Sequence, residues 1–391
     1  MFKDVIRGFQ DKETPFYYYD IGLLQETLAL AKTHADRYGF HVHYALKANF
    51  NERILRAVKE MGFGADCVSG NEVLKAIEIG FQPEKVVFAG VGKSDKEIIN
   101  ALNNNIFAFN VESLQELEVI DELAGQRGQI ARVALRINPN VDAQTHHYIT
   151  TGLEENKFGI KIWELESCID LLRTLKHVEL TGIHFHIGSQ ITDLNVFRSL
   201  CVKVNEINSW FEERGHYLKV LNVGGGLGVD YHQPDKRSIP EFEEYFRIFD
   251  QFLERKHYQE VHFELGRALV SQCGSLISRV LYVKNGLKKN FLILDAGMTE
   301  LMRPALYQAY HKVERLAETT DALKTVLYDV VGPICESSDC FAKEVELNET
   351  KRNDMIAIRT AGAYGEVMAS KYNLRDEIRY VYSDEILEES L

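Results

Sequence analysis

Proline is scarce in this chain, at seven residues in 391. No low-complexity tract accompanies the few prolines, so no flexible linker is expected to break the chain into beads. Cysteine is also sparse. The six residues Cys67, Cys168, Cys201, Cys273, Cys335 and Cys340 include no C-x-x-C pair, and their density is far below that of a disulfide scaffold. Cys335 and Cys340 therefore read as two nearby thiols rather than a bridge. An excess of basic charge is missing too. The net charge of −13 argues against nucleic acid as a partner, while leaving room for a local basic pocket for a small anion. No stretch approaches the ~20 apolar residues of a membrane span. The first twenty residues lack an apolar core behind a basic start, so no signal peptide is expected. A cytoplasmic protein with free thiols is the expectation.

What is present is ordinary in bulk and specific in order. Hydrophobic residues make up 45% of the chain and charged residues 26%, typical of a globular protein with a sizeable core. At roughly 150 residues per domain, the length suggests two or three domains, or one large barrel with a smaller partner. Residues 15–20 read as an aromatic-rich strand, followed by a helix over 21–38. Eight strand-like segments come next, at 42–47, 64–68, 85–89, 106–110, 131–138, 180–187, 218–224 and 261–266. Amphipathic stretches at 51–61, 71–79, 113–124, 163–175, 195–214 and 240–256 lie between them. Such alternation means parallel strands joined by crossover helices. Eight units over this length fit a closed (β/α)8 barrel better than an open doubly wound sheet. After Arg267 the pattern turns to strands with few helices, at 275–283, 290–294, 325–331, 341–347 and 355–360. We read these as a mainly antiparallel β domain. The strand at 15–20 has no place in the barrel and is expected to join that domain. The expected division is 1–35, then a barrel over 36–267, then a β domain over 268–391.

In such a barrel the C-terminal strand ends carry the chemistry. The first strand ends in Lys47, and the second carries Asp66. The fifth carries Arg136 and Asn138, and the sixth ends in His184-Phe185-His186-Ile187-Gly188-Ser189. The seventh ends in Gly224-Gly225-Gly226-Leu227-Gly228 and the eighth in Glu264-Leu265-Gly266-Arg267. A lysine closing an apolar strand is costly to bury, and burial makes its amine a better nucleophile. The plainer reading is a lysine that snorkels to solvent. The glycine run is either a turn or a place where backbone amides approach an anion. Its register at the end of the seventh strand favours a phosphate. His184 and His186 share a strand face and are compatible with a metal, but no further ligands complete the set. Core histidines are the plainer reading, and no metal is expected. An amine, a phosphate cradle and a carboxylate together suggest pyridoxal phosphate (PLP), whose ring acts as an electron sink when an acid keeps its nitrogen protonated.

The motifs Tyr44-Ala45-Leu46-Lys47-Ala48-Asn49, His184 to Gln190, Gly224 to Gly228 and Glu264 to Arg267 resemble the alanine-racemase-fold, barrel-type PLP decarboxylases. Arg303-Pro304-Ala305-Leu306-Tyr307, Gly332 to Asp339 and Gly362-Ala363-Tyr364-Gly365 narrow the resemblance to the diaminopimelate decarboxylase family. One departure is Leu265, where that family commonly has proline; it alters backbone stiffness rather than a functional side chain.

The resemblance implies conversion of meso-2,6-diaminopimelate to L-lysine and carbon dioxide, the last step of lysine biosynthesis. It implies that Lys47 carries PLP, His186 stacks on its ring and Glu264 pairs with its nitrogen. Asp66, Ser189, Gly224, Gly225, Gly226, Gly266, Arg267 and Tyr364 would complete the cofactor site. Arg267, Arg303, Tyr307, Glu336 and Tyr364 would read the substrate's far amino-acid end, where arginine suits a carboxylate because its planar fork matches one. Cys335 would be the acid that reprotonates carbon, acting in the neighbouring subunit's site, so a homodimer is expected. The rival readings are a decarboxylase for ornithine, arginine or carboxynorspermidine, an amino-acid racemase, a catalytically idle PLP binder and a metal-dependent barrel hydrolase.

Overall fold

The computed structural model describes residues 2, 5–141, 157–317 and 324–389. The chain opens with β1 (Phe16–Tyr19) and α1 (Ile21–Arg37). It divides into two compact units that interleave along the sequence. One comprises Leu28–Gly228 and Glu241–Gly266; the other comprises Met1–Thr27, Val229–Pro240 and Arg267–Leu391. The expected spans 1–35, 36–267 and 268–391 are continuous, whereas the units are not. The segment Val229–Pro240, lying between the last two barrel strands in sequence, groups with the second unit.

The first unit is a closed barrel of eight parallel strands. They are β2 (His41–Ala45), β3 (Gly64–Cys67), β4 (Val86–Phe88), β5 (Ala108–Val111), β6 (Ala131–Arg136), β7 (Val178–His184), β8 (Val220–Asn222) and β9 (Glu260–Leu265). The ring closes where β2 pairs with β9, with Val42 opposite Phe263 and His43 opposite Glu264. Around it run α2 (Glu52–Glu60), α3 (Gly70–Ile79), α4 (Asp95–Asn103), α5 (Leu114–Gly125), α6 (Leu165–Leu172), α7 (Asn195–Glu213) and α8 (Phe242–Phe252). Three of these helices begin on a Ser-x-x-Glu sequence. The hydroxyls of Ser69 and Ser113 accept from the amides of Glu72 and Glu116, and Ser94 with Glu97 forms a reciprocal capping box. These caps satisfy amides that a helix start leaves unpaired. Helix α4 was not among the amphipathic stretches read from the sequence, although its capping box is legible there.

Phe263 of β9 packs where the barrel wall meets α8. Its ring lies 5.1 Å from Phe40, 5.0 Å from Phe246 and 4.9 Å from Phe249. At the opposite strand ends from the expected site, the His43 Nδ1–H donates to the Lys85 carbonyl at 3.0 Å. His43 Nε2 then accepts, so the Nδ1–H of His262 donates across 2.8 Å. Burial and the neighbouring His262 push the His43 pKa down to about 3, so His43 is neutral.

The second unit is an eight-stranded sheet. Besides β1 it contains β10 (Gly274–Asn285), β11 (Asn290–Leu294), β12 (Val313–Leu316), β13 (Thr325–Val331), β14 (Cys340–Asn348), β15 (Met355–Ile358) and β16 (Arg379–Tyr382). Short helices α9 (Arg267–Val270), α10 (Arg303–Tyr307) and α11 (Ser383–Glu389) accompany them. As expected, β1 leaves the barrel and joins this sheet, antiparallel to β10 and parallel to β16. Its four aromatic residues are all buried and alternate between faces. Phe16 and Tyr18 pack on Phe9 at 5.4 and 5.1 Å. Tyr17 donates to the Glu300 carbonyl at 2.8 Å and Tyr19 to Glu366 at 2.5 Å.

Replacing Phe263 with Ala should leave a cavity in the barrel wall and lower unfolding stability by about 3–5 kcal/mol. Urea unfolding measures this, and a loss below about 1 kcal/mol would contradict the packing role.

Candidate active site

Strand β2 ends at Ala45, and one turn of tight helix over Leu46–Ala48 carries Lys47 just past it. The turn is stapled by the Tyr44 hydroxyl, which donates to the Asn49 carbonyl at 2.7 Å. Lys47 is only partly buried, with 36% of its side chain exposed, while its partner Asp66 on β3 is fully enclosed. Their Nζ and Oδ2 atoms lie 3.3 Å apart. Burial, reinforced by the charge of Glu264, pushes the Asp66 carboxyl up to about 7 against the opposing pull of Lys47. The other oxygen, Oδ1, has no hydrogen-bond partner among the described residues. Arg136 does not compete for Asp66. It donates to Glu112 Oε1 at 2.6 Å, and Glu112 also takes the amides of Gly90 and Gly159.

Glu264 of β9 sits at the centre of the barrel's polar interior. Its Oε1 accepts from Asn110 Nδ2 at 2.9 Å and Asn222 Nδ2 at 2.8 Å, and its Oε2 pairs with His184 Nε2 at 2.8 Å. Burial alone would raise this carboxyl; His184 beside it, with Lys47 and His186, instead holds it below the usual carboxylate range. An ionised carboxylate has roughly four lone-pair sites, so three donors leave room for one more. Sequence reading found Glu264 but missed its three holders. Asn110 and Asn222 carry no motif. His184 was read as core or metal ligand, whereas it orients Glu264. Its Nδ1 has no partner among the described residues.

The loop after β8 is wedged between the loop after β7 and the end of strand β9. A side chain at Gly224 would meet the Phe185 carbonyl at 2.1 Å, and one at Gly225 would meet the Glu264 carbonyl at 1.9 Å. Gly224 and Gly226 also have φ of +70° and +104°, which favours glycine. The Asn222 side chain takes the Gly224 amide at 2.9 Å, linking the glycine turn to the Glu264 cluster. Ile191 and Gly226 exchange a backbone hydrogen bond of 2.9 Å, and Gly228 returns one to Ile191 at 2.9 Å. This draws the half-buried Ser189 loop alongside. The amides of Gly225 and Gly226 donate to no protein acceptor among the described residues. Gly266 follows β9 directly. Half-buried His186 has its pKa pushed down by its enclosed surroundings and by the cations Lys47 and Arg136, so its ring is neutral.

The remaining expected residues belong to the second unit. Buried Arg267, at the start of α9, lies over the Tyr364 ring at 4.9 Å and donates to the Tyr231 hydroxyl at 2.6 Å. Arg303, at the start of α10, donates to the same hydroxyl at 2.7 Å. Tyr307 is half-buried at the other end of α10. Cys335 and Glu336 are exposed at the tip of a turn, with the Tyr372 hydroxyl donating to Glu336 at 2.8 Å. Buried Asp339 pins that turn by accepting the amides of Ile334 at 2.7 Å and Met298 at 2.6 Å. Neither Tyr231 nor Asp339 had a predicted role.

His184 and His186 belong to no group of three metal-capable side chains among the described residues. Among the described residues the one group of three metal-capable side chains is His41, Glu260 and His262, at the opposite strand ends.

An amine next to a buried carboxyl, a second carboxylate held ionised, and glycine-turn amides with no protein acceptor among the described residues are the features expected of a pyridoxal-type barrel. Residues 23–271 match the family model for the pyridoxal binding domain of pyridoxal-dependent decarboxylases. A diaminopimelate decarboxylase of Bacteroides thetaiotaomicron is 54% identical over 383 residues, covering 98% of both chains. That of Aquifex aeolicus is 40% identical, covering 93% of this chain and 84% of its own. The crystal structure of the Helicobacter pylori diaminopimelate decarboxylase complexed with L-lysine superposes with a TM-score of 0.90 at 39% identity, covering 97% of this chain and 94% of that one. The chain belongs to the diaminopimelate decarboxylase family.

The raised Asp66 carboxyl has a stability consequence in the cofactor-free protein. Its contribution is full below the ordinary pKa of 3.8 and is lost as pH rises toward about 7. Asp66→Asn removes that dependence. Relative to the variant, the wild type should lose on the order of a few kcal/mol between pH 4 and pH 8. Parallel curves of melting temperature against pH for the two proteins would refute the assignment.

Proposed function

We propose that this chain decarboxylates meso-2,6-diaminopimelate to L-lysine and carbon dioxide with pyridoxal phosphate, the last step of lysine biosynthesis. The observation that carries the cofactor reading is Glu264, buried yet held ionised with one lone-pair site to spare. That is what a protonated pyridine nitrogen requires. The substrate reading rests on the relatives named above, one of which is seen with L-lysine.

The residues fit the group. The Gly225 and Gly226 amides, without a protein acceptor among the described residues, suit a phosphate, with Ser189, Gly224 and Gly266 shaping the same turns. Lys47 holds the cofactor through its amine, with Asp66 beside it to exchange a proton at Nζ. Neutral His186 offers an aromatic face. Arg267 and Tyr364 are assigned to both cofactor and substrate. When bound, pyridoxal phosphate supplies an electron sink for the pair left as carbon dioxide departs.

Glu264 keeps a proton on the ring nitrogen, because its own carboxyl is held low and does not take that proton. Arg267 and Arg303 bind the carboxylate that is kept, Glu336 takes the neighbouring ammonium, and Tyr307 lines the same end. The Sγ–H of Cys335 returns a proton to carbon. Cys335 is exposed within its own chain, which suits delivery to a neighbouring subunit's site in a homodimer. No helix of the described residues is long and apolar enough to cross a membrane, in keeping with a cytoplasmic enzyme.

Lys47→Ala should eliminate both diaminopimelate turnover and covalent capture of the cofactor on borohydride reduction. Full decarboxylation by that variant would sink the proposal. Mixing inactive Lys47→Ala and Cys335→Ala proteins should regain up to about a quarter of wild-type activity if subunits exchange as C2 pairs sharing sites. No recovery after demonstrated exchange would place Cys335 outside the partner's site.

A further inference from the structure

Two buried arginines of this fold are paired with carboxylates. Arg136 has Glu112, and Arg359 has Asp235 and Glu314. Arg303 departs from that pattern. It is 7% exposed, and among the described residues it has no carboxylate in ion-pair reach and one hydrogen-bond acceptor, the Tyr231 hydroxyl. A buried guanidinium without a counter-ion is costly unless an anionic ligand supplies one. Arg267, equally buried, donates to the same oxygen.

Tyr231 is held with some care. It lies on Val229–Pro240, the segment that groups with the second unit although barrel strands flank it in sequence. Gln272 fastens that segment by donating from Nε2 to the carbonyls of Asp230 at 3.0 Å and Arg237 at 2.9 Å. Thr360 in turn donates to Gln272 Oε1 at 2.8 Å. The Asp230 carboxylate accepts the amides of His232 at 2.8 Å and Gln233 at 2.9 Å, rigidifying the turn that follows Tyr231. Behind the phenol ring, His311 packs edge-on at 5.2 Å. His311 is itself fixed, donating from Nδ1 to the Arg359 carbonyl at 2.9 Å. One oxygen on a fixed ring thus receives two guanidinium forks.

We propose that Tyr231 is a positioning residue that aligns Arg267 and Arg303 for the carboxylate of the amino-acid end that the reaction retains. This rests on the diaminopimelate reading above. Two guanidinium groups on one anion repel each other, and a shared acceptor holds them at a set separation before the anion arrives. Each arginine uses one Nη1 on Tyr231, so the rest of the Arg303 fork can take a carboxylate in bidentate fashion. Burial raises the Tyr231 phenol, but the two arginines outweigh it and bring the pKa below the ordinary value.

The chemistry of the substrate supplies a selective test. Meso-diaminopimelate has one D and one L centre, and the product is L-lysine. The L-end carboxylate is therefore common to substrate and product, and 1,5-diaminopentane lacks it. In the full-length holoenzyme, Tyr231→Phe should raise both KM for diaminopimelate and the inhibition constant of L-lysine by about tenfold or more. It should leave kcat within about threefold and inhibition by 1,5-diaminopentane unchanged. Tyr231→His, which restores an acceptor nitrogen, should recover part of the loss, and it serves if the Phe variant does not fold.

Wild-type KM and L-lysine inhibition in Tyr231→Phe would overturn the proposal while leaving the decarboxylase reading intact. Equal weakening of L-lysine and 1,5-diaminopentane would also overturn it, because that marks a general structural role. A wild-type enzyme that does not turn over diaminopimelate would remove the decarboxylase reading and this proposal with it.

Discussion

The buried carboxylate of Glu264 is the constraint on which the barrel's interior depends. A carboxylate out of water is tolerated only when donors replace its hydration. Here the donors come from β5, β7 and β8 as Asn110, His184 and Asn222, while Glu264 itself sits on β9. Four of eight strands are thus tied to one charge. The cluster fixes strand register as much as it prepares an acid–base partner. Removing one holder exposes the others to the full cost of an unpaired charge, several kcal/mol in buried clusters of this kind.

The same charge explains its neighbour. Asp66 is enclosed within electrostatic reach of Glu264, and two buried carboxylates do not readily both ionise. The one with three donors keeps the charge, and Asp66 is the one pushed up. Lys47 thus lies 3.3 Å from a carboxyl on β3 that is pushed up first by its own burial and then by the charge on β9.

Much of this was legible in the sequence, for physical reasons. Eight apolar segments alternating with amphipathic ones have few solutions other than a barrel, and the rim residues followed from strand ends. The glycine run also stood out, although its reason is sharper than expected. The glycine turn runs so close to the end of β9 that a Cβ at Gly225 would sit 1.9 Å from the Glu264 carbonyl oxygen. Other features carried no one-dimensional signal. Strands β12 and β16 are four residues each, written Val-Glu-Arg-Leu and Arg-Tyr-Val-Tyr, too short and mixed for a period to show. Asn110 and Asn222 are single polar residues in apolar strands, and their meaning comes from the side chain across the barrel. Tyr231 gave no hint because its role depends on two arginines far away in sequence.

The two units differ in what kind of selectivity they can impose. In the reading proposed above, the barrel set is Lys47, Asp66, Glu264, His186 and the glycine turn, and it would address a cofactor and the bond broken on it. Nothing in that set distinguishes one amino acid from another beyond the reacting centre. Discrimination requires groups whose burial is costly when the correct ligand is missing, because an unpaired buried donor penalises every substrate that fails to match it. Arg303 meets that description, since its only acceptor among the described residues is a phenol rather than a carboxylate. A diamine or a monocarboxylic amino acid reacting at its sole carboxylate offers that guanidinium no anion. The chain's excursion through Val229–Pro240 delivers Tyr231 to the two arginines. In the proposed reading, substrate choice rests on a guanidinium that has a phenol but no carboxylate as its partner among the described residues, and the phenol holds it in place for the carboxylate to come.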